Sequence, residues 1–148
     1  TGSSFLLGEL AAAFLKAQLD EAGRITARRL ALWARYHDAF EGLEAAEKLR
    51  RPVVPIDCGH NAHMYYLLLP TGSDRTRVLS DLRARGVMAV FHYVPLDTAP
   101  AAQRFAKTGA PLPVTADCAA RLVRLPLWTG MTSQDQDRVI NAVLDVLG

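Results

Sequence analysis

His92 and Tyr93 are the residues of this sequence best suited to bind a ligand. They end a segment rich in β-branched and aromatic residues, and Pro95 follows where the predicted strand becomes a loop. Residues at the end of a rigid element often present polar groups to ligands. Imidazole and phenol groups both donate and accept hydrogen bonds, which suits a molecule that carries hydroxyl or phosphate groups. A half-buried His–Tyr pair, satisfied within the fold, is the alternative.

A second candidate is the small polar turn formed by Gly2, Ser3 and Ser4, which precedes an apolar helical segment. The first turn of a helix exposes backbone N–H groups at its positive end, where an anion such as phosphate can bind. The same residues also fit the simple start of a helix. The turn by itself therefore leaves both interpretations open.

The other chemically versatile side chains do not form a recognisable motif. His60 and His63 would point to opposite faces of a strand, and no third ligand lies close in sequence, so they do not predict a metal site. Cys58 and Cys118 are far apart, and they fit free thiols in a reducing compartment. No Gly-x-Ser-x-Gly elbow and no Walker or Rossmann phosphate loop is present. We therefore predict no catalytic residue and no metal ligand in this chain.

The composition fits one globular domain. Half of the 148 residues are hydrophobic, and 22% are charged with a formal net charge of only +2, which does not favour a nucleic-acid partner. Arg50 and Arg51 lie among acidic residues, which favours a solvated helix face. The sequence contains neither a long apolar span nor a signal peptide, so we predict no membrane contact and a cytoplasmic location.

These candidates must be positioned by helices at the N-terminus and by alternating elements after it. Residues 8–49 have a helical pattern with a break near Gly23. Their apolar stripe follows a 3.6-residue period and comprises Ile25, Leu32, Tyr36, Phe40 and Leu43. The pattern predicts that one face of this long segment packs on the remainder of the chain.

Three strands are predicted over residues 62–69, 87–94 and 122–127. Between them we expect one helix capped by Ser73 or Asp74 and stopped by Gly86, and shorter helices around 101–107 and from Thr115 or Asp117. Ser133 and Gln136 predict a capping box for a closing helix. The order predicts an α+β fold with a long N-terminal helix and a small sheet that carries helices on one face.

Several blocks resemble the DegT/StrS family of nucleotide-sugar aminotransferases. The N-terminal part carries Gly2-Ser3-Ser4-Phe5 and Arg29-Leu30-Ala31-Leu32-Trp33. Later blocks resemble the subgroup of dTDP-4-amino-4,6-dideoxygalactose transaminases, and these are Asn61-Ala62-His63-Met64-Tyr65-Tyr66, Val87-Met88-Ala89-Val90-Phe91-His92-Tyr93-Val94-Pro95-Leu96 and Arg124-Leu125-Pro126-Leu127. The similarity extends over the whole length, and the blocks fall in the same order.

The resemblance implies an enzyme of the aspartate-aminotransferase fold, fold type I, that depends on pyridoxal phosphate. Members of the family act as homodimers and transfer an amino group, typically from glutamate, to a keto sugar linked to a nucleotide. In the subgroup the acceptor is dTDP-4-keto-6-deoxyglucose, and the pathway leads to a surface polysaccharide. The chain would then be a C-terminal small domain with a mainly antiparallel three-stranded sheet.

The family's cofactor lysine has no counterpart here, because Lys16, Lys48 and Lys107 lie in other sequence contexts. With the missing N-terminal methionine, this suggests that residues 1–148 are one small domain without the catalytic large domain. Residues 1–50 would be its long helical segment and residues 51–148 an α/β sandwich. We expect such a fragment to bind no cofactor and to be inactive. The alternative is a stand-alone, non-catalytic α+β module for ligand binding or regulation.

The resemblance also assigns roles to a few residues. Ser4 stands where the family reaches the cofactor phosphate of the partner subunit, and Ser3 would assist it. Leu6 replaces a basic residue that many relatives have, so that charge is lost. His92 and Tyr93 match the strand-end pair near the sugar, and Asp97 stands where the subgroup often has histidine.

Overall fold

The computed structural model describes residues 6–107 and 109–148. Three helices form the N-terminal segment: α1 (Glu9–Asp20), α2 (Ala22–Ala39) and α3 (Glu41–Ala45). The remaining elements follow in the order β1 (Tyr65–Leu68), α4 (Arg75–Ala84), β2 (Val90–Phe91), α5 (Pro100–Phe105), α6 (Pro113–Arg121), β3 (Leu122–Leu125) and α7 (Ser133–Leu147). The break expected near Gly23 lies at Glu21, between α1 and α2.

The three strands form one sheet in the order β1-β3-β2, and β3 pairs antiparallel with both neighbours. Arg124 at the middle of the sheet lies opposite Tyr66 of β1 and Val90 of β2. A small antiparallel sheet combined with helices confirms the predicted fold class.

The core lies between the sheet and the helices α2, α4 and α7. Four members of the N-terminal stripe are buried, and only Ile25 remains partly exposed. The sheet contributes residues that alternate along its strands, and α7 contributes a stripe of its own. The buried apolar residues from these elements include Leu32, Tyr36, Phe40, Leu43, Tyr65, Leu67, Val78, Leu82, Val123, Leu125, Val139 and Val143.

The predicted ends of α4 are confirmed. The Asp74 side chain accepts a hydrogen bond from the Arg77 backbone N–H, which satisfies one of the free donors of the first turn. Gly86 ends the helix with a φ of +77°, a left-handed conformation in which a side chain would be strained. Between them Val78 and Leu82 are buried under the sheet.

The capping box predicted for Ser133 and Gln136 is wrong by one residue. Thr132 is the N-cap of α7, and its side chain and that of Asp135 bond to each other's backbone N–H. Gln136 is instead buried, and its amide donates to the Leu32 carbonyl over 2.7 Å. A polar residue at this position thus joins α7 to α2 rather than capping a helix.

All three strands are shorter than predicted. Ala62 has a φ of +49°, which interrupts the extended chain before β1. Pro126 has no backbone N–H to donate and follows the end of β3. β2 comprises only Val90–Phe91, which pair with Arg124 and Val123 of β3.

Candidate functional site

The predicted pair His92 and Tyr93 lies directly after β2 rather than within it. The two rings meet edge-on with centroids 5.0 Å apart. Tyr93 is 74% exposed, whereas His92 is half-buried and its Nδ1 has no hydrogen-bond partner in the part of the chain that is described. The pair therefore combines an open phenol with a buried nitrogen that is free to bond.

Arg124 joins this pair from the middle strand. Its guanidinium lies over the Tyr93 ring, 5.6 Å from the centroid, which is a cation–π distance. Its Nε is buried and bonds to none of the described residues. Sequence reasoning did not identify this residue as part of a site, although an arginine inside a predicted strand was the available signal.

Arg124 lies on the face of the sheet that is turned away from the core, whereas Tyr93 lines a different cavity together with Arg75 and Phe91. The alternation of the strands places Arg124 beside Tyr66 and Val90, while the neighbouring positions point into the core. A cavity of about 180 Å³ opens here. Its lining is formed by His63, Met64, Met88, Val90, Arg124, Leu125, Pro126 and Leu127.

Asp97, which replaces the histidine typical of the subgroup, follows four residues after Tyr93. It is half-buried, and its Oδ1 has no hydrogen-bond partner within the described residues. Its backbone carbonyl accepts a hydrogen bond from the side chain of Gln103 in α5. Asp97 lines a cavity together with Leu96 and Leu112, and this cavity is distinct from the one beside Arg124.

A larger cavity, of about 650 Å³, lies elsewhere, between α2 and the segment before β1. The ring of His60 contacts Trp33 at 4.8 Å, and the Nδ1 of His63 lies 2.8 Å from Oδ1 of Asn61. Across residues 6–107 and 109–148, no group of three or more His, Cys, Asp or Glu side chains could hold a metal ion. His60 thus contacts Trp33 of α2, and His63 contacts Asn61 in the segment before β1.

Arg51 is not the solvated residue that the charge pattern indicated. It bonds to Glu44 through its backbone N–H and its Nε, over 2.7 Å and 2.6 Å, and to the His37 carbonyl. Burial opposes ionisation of Glu44, but these bonds and the charge of Arg51 outweigh it and hold the pKa of Glu44 below its usual value. Burial and the Arg51 charge also lower the pKa of His37. The bonds of Arg51 therefore join the end of α2 and helix α3 to the segment that follows them.

The three lysines of the chain lie at its surface. Lys16, Lys48 and Lys107 are all exposed, and Lys16 pairs with Asp20 over 2.8 Å. None of the three lines the cavity of about 650 Å³. The predicted phosphate contacts Ser3 and Ser4 lie outside the described residues.

In the described ranges of the chain, we find no helix with both the length and the apolar character needed to cross a membrane. The two cysteines, Cys58 and Cys118, are free thiols.

Comparison with known proteins identifies relatives of the whole chain. The DegT/DnrJ/EryC1/StrS aminotransferase family matches residues 1–144. Among solved structures, DesV of S. venezuelae is 29% identical with a TM-score of 0.83, and it is covered over 36% of its length by 94% of this chain. The aminotransferase TlmJ of Streptoalloteichus hindustanus is 26% identical with a TM-score of 0.75, and 89% of this chain covers 34% of it.

A third similar structure is PseC of Helicobacter pylori, an aminotransferase involved in the biosynthesis of pseudoaminic acid. It is 22% identical with a TM-score of 0.85, and 99% of this chain covers 39% of it. The chain thus spans little more than a third of the length of the structures it matches. Its fold is that of one part of a fold type I aminotransferase.

Proposed function

The chain belongs to the DegT/DnrJ/EryC1/StrS aminotransferase family, and we propose that it is the C-terminal small domain of a sugar aminotransferase. The match over residues 1–144 is the observation that carries this proposal. Aminotransferases of this family depend on pyridoxal phosphate, which carries the amino group between donor and acceptor. The described lysines do not fit the cofactor's covalent partner, so that lysine would come from a different part of the parent protein.

The proposed reaction transfers an amino group from glutamate to dTDP-4-keto-6-deoxy-D-glucose, in the cytoplasm, for a surface polysaccharide. The resemblance of the blocks around Asn61, His92 and Arg124 to one subgroup of the family supports this substrate. The free thiols Cys58 and Cys118 are consistent with a reducing compartment.

The residues of this chain would bind and orient the sugar and complete the site. His92 and Tyr93 would donate hydrogen bonds to sugar hydroxyls from the end of β2, and the free Nδ1 of His92 supports this role. In a homodimer, Ser3 and Ser4 would bind the cofactor phosphate of the partner subunit, as the family's N-terminal block implies. Asp97 stands at the position of the subgroup's histidine, so the sugar contact made by that histidine would be altered.

A panel of substrates tests the proposed reaction. The full-length parent protein is incubated with glutamate and, in separate reactions, with dTDP-4-keto-6-deoxyglucose and with keto sugars on other nucleotides. Mass spectrometry of the products should show the amino sugar, with the highest kcat/KM for the dTDP substrate. Preference for another nucleotide would contradict the substrate but not the family. The purified 148-residue chain with pyridoxal phosphate should form no amino sugar.

A further inference from the structure

The cavity of about 650 Å³ between α2 and the segment before β1 has an uncharged lining. Within the described part of the chain, no Asp, Glu, Lys or Arg side chain contributes to it. Four other cavities each include a charged residue, and these residues are Arg51, Asp97, Arg124 and Arg75. The volume lies within the range of about 300–1,000 Å³ that is typical of ligand sites. The polar and aromatic side chains that line the cavity are Trp33, His60, Asn61, His63 and Tyr66.

The aromatic part of this lining is held in place by the protein. The Trp33 ring stacks on His37 with centroids 4.6 Å apart. Its contacts with His60 and Tyr65 are edge-on, at 4.8 Å and 5.4 Å. Three rings therefore fix the indole, which offers a rigid apolar surface to a ligand.

The polar part of the lining lies on a strained turn. Ala62 has a φ of +49° and is only 2% exposed. This left-handed conformation is uncommon for a residue with a side chain, and such strain is concentrated at functional sites. The turn brings Asn61 and His63 together. Oδ1 of Asn61 accepts a hydrogen bond from the His63 backbone N–H over 3.2 Å and lies 2.8 Å from Nδ1 of the His63 ring.

These two contacts determine the tautomer of His63. A backbone N–H can only donate, so the amide atom of Asn61 that it meets is the oxygen. The same oxygen can only accept, so Nδ1 of His63 carries the proton. In a neutral imidazole Nε2 is then an acceptor, and the Asn61 amide nitrogen is a donor. The turn thus supplies an uncharged acceptor and an uncharged donor beside the aromatic wall.

We propose that this cavity binds an uncharged ring that carries hydroxyl groups, such as a sugar. Nε2 of His63 accepts from one hydroxyl, the Asn61 amide donates to another, and the apolar face of the ring packs on Trp33. An anionic group would lose water here without meeting a cation, and a cationic group would meet no carboxylate. Asn61 is a positioning residue for His63 as well as a ligand contact.

The proposed site is additional to the one that would bind the reacting sugar. It shares only His63 and Met64 with the cavity beside Arg124, and neither His92 nor Tyr93 lines it. The inference therefore does not depend on the transfer of an amino group.

The test is an NMR titration of the 148-residue chain with methyl glucoside and methyl galactoside. Methyl glucuronide, a similar ring with a carboxylate, is the charged probe. The chain has two tryptophans, and Trp128 does not line the cavity, so its indole signal is an internal control. We expect saturable shifts at Trp33 and at the His63 ring, a constant Trp128 signal, and binding of the glucuronide that is weaker by about tenfold or more.

Variants of the turn separate its two polar groups. His63→Phe keeps a ring but removes Nε2, and we expect it to weaken binding of the neutral probes by about threefold to tenfold, as for one lost hydrogen bond. His63→Gln restores an acceptor and should recover part of the affinity. Asn61→Ala should weaken binding, and nitrogen chemical shifts should show that His63 loses its single tautomer. Asn141→Ala, on the exposed side of α7, is the matched control and should change neither property.

Three results would overturn the inference. They are the absence of a saturable shift at Trp33, equal affinity for the glucuronide, and unchanged affinity in His63→Phe. Calorimetry of the full-length parent with the same probes adds a fourth, because binding by the chain but not by the parent would show that protein covers the cavity there. None of these results bears on the proposed function, which the amino-transfer assay tests separately.

Discussion

Helices α1 and α2 are separated by a single residue, yet α2 buries apolar side chains and α1 leaves its apolar side chains exposed. α2 buries Leu32 and Tyr36, and Phe40 at its end is fully buried. α1 buries no residue, and its Phe14 is 76% exposed. The comparison shows that an apolar helical pattern predicts a helix but does not tell whether its packing partner lies in the same chain.

The two helices differ in their contacts, because α2 is bonded to α7. Gln136 of α7 donates to the Leu32 carbonyl, and Arg35 of α2 pairs with Asp137 of α7 over 2.5 Å. The Tyr36 hydroxyl donates to the Pro126 carbonyl after β3. α1 has an ion pair on its own surface but no comparable link to the sheet among the described residues. Its exposed stripe includes Leu10, Phe14, Leu15 and Leu19.

Replacing one phenylalanine in each region gives the largest expected contrast. Phe40→Ala should lower the free energy of unfolding by about 3–5 kcal/mol, because it leaves a cavity in the core. Phe14→Ala should change it by less than about 0.5 kcal/mol, because the ring is already in solvent. Chemical denaturation of the 148-residue chain measures both values.

Equal losses for the two variants would contradict the comparison, since Phe14 would then pack against the chain as Phe40 does. Phe14 is also the sharper probe of the parent protein. If α1 is covered there, Phe14→Ala should destabilise the full-length protein more than it destabilises this chain.

The buried amide of Gln136 provides a second, smaller test of the link between α2 and α7. Gln136→Leu keeps the volume but removes the bond to Leu32, so we expect a loss of about 1–2 kcal/mol in unfolding free energy. Gln134→Leu is the matched control, because Gln134 lies two residues earlier on the same helix and is exposed. A loss in the control as large as that in Gln136→Leu would show that the bond is not responsible.

The smallest expected effect concerns His37 on α2. Burial and then the Arg51 charge lower its pKa, so the unfolded chain binds a proton more readily than the folded one. Stability from this residue is therefore present above its ordinary pKa of about 6.5 and is lost as the pH falls through the folded value.

Substituting His37→Phe keeps a ring that can stack on Trp33, which His37 contacts at 4.6 Å, but removes the titration. The drop in Tm between about pH 7 and about pH 5 should become smaller, by less than about 4 °C. Thermal unfolding at the two pH values measures this difference. An unchanged drop would mean that His37 does not contribute to acid sensitivity.

Local signals in the sequence predicted much of the fold. The period of the stripe identified the buried positions Leu32, Tyr36, Phe40 and Leu43, because a helix repeats every 3.6 residues. Gly86 and Asp74 marked the ends of α4 through their particular backbone chemistry. Strand lengths were less accurate, because they depend on pairing partners that are distant in sequence.

The candidate site was predictable only in part. His92 and Tyr93 stood out as polar residues before a proline, but the contact with Arg124 joins residues about thirty positions apart through the register of β2 with β3. That register is a tertiary property. The choice of Thr132 over Ser133 as the cap of α7 was equally hidden, because both residue types cap well.

Under the proposed function, this chain completes an enzyme that moves an amino group from glutamate to a sugar. The most direct measurement follows isotope-labelled amino nitrogen from glutamate in the full-length parent, with dTDP-4-keto-6-deoxyglucose as acceptor. We predict that the label appears in the amino group of the nucleotide sugar and that the 148-residue chain alone transfers none. No labelled sugar from the full-length protein with this or any other nucleotide-linked keto sugar would contradict the account.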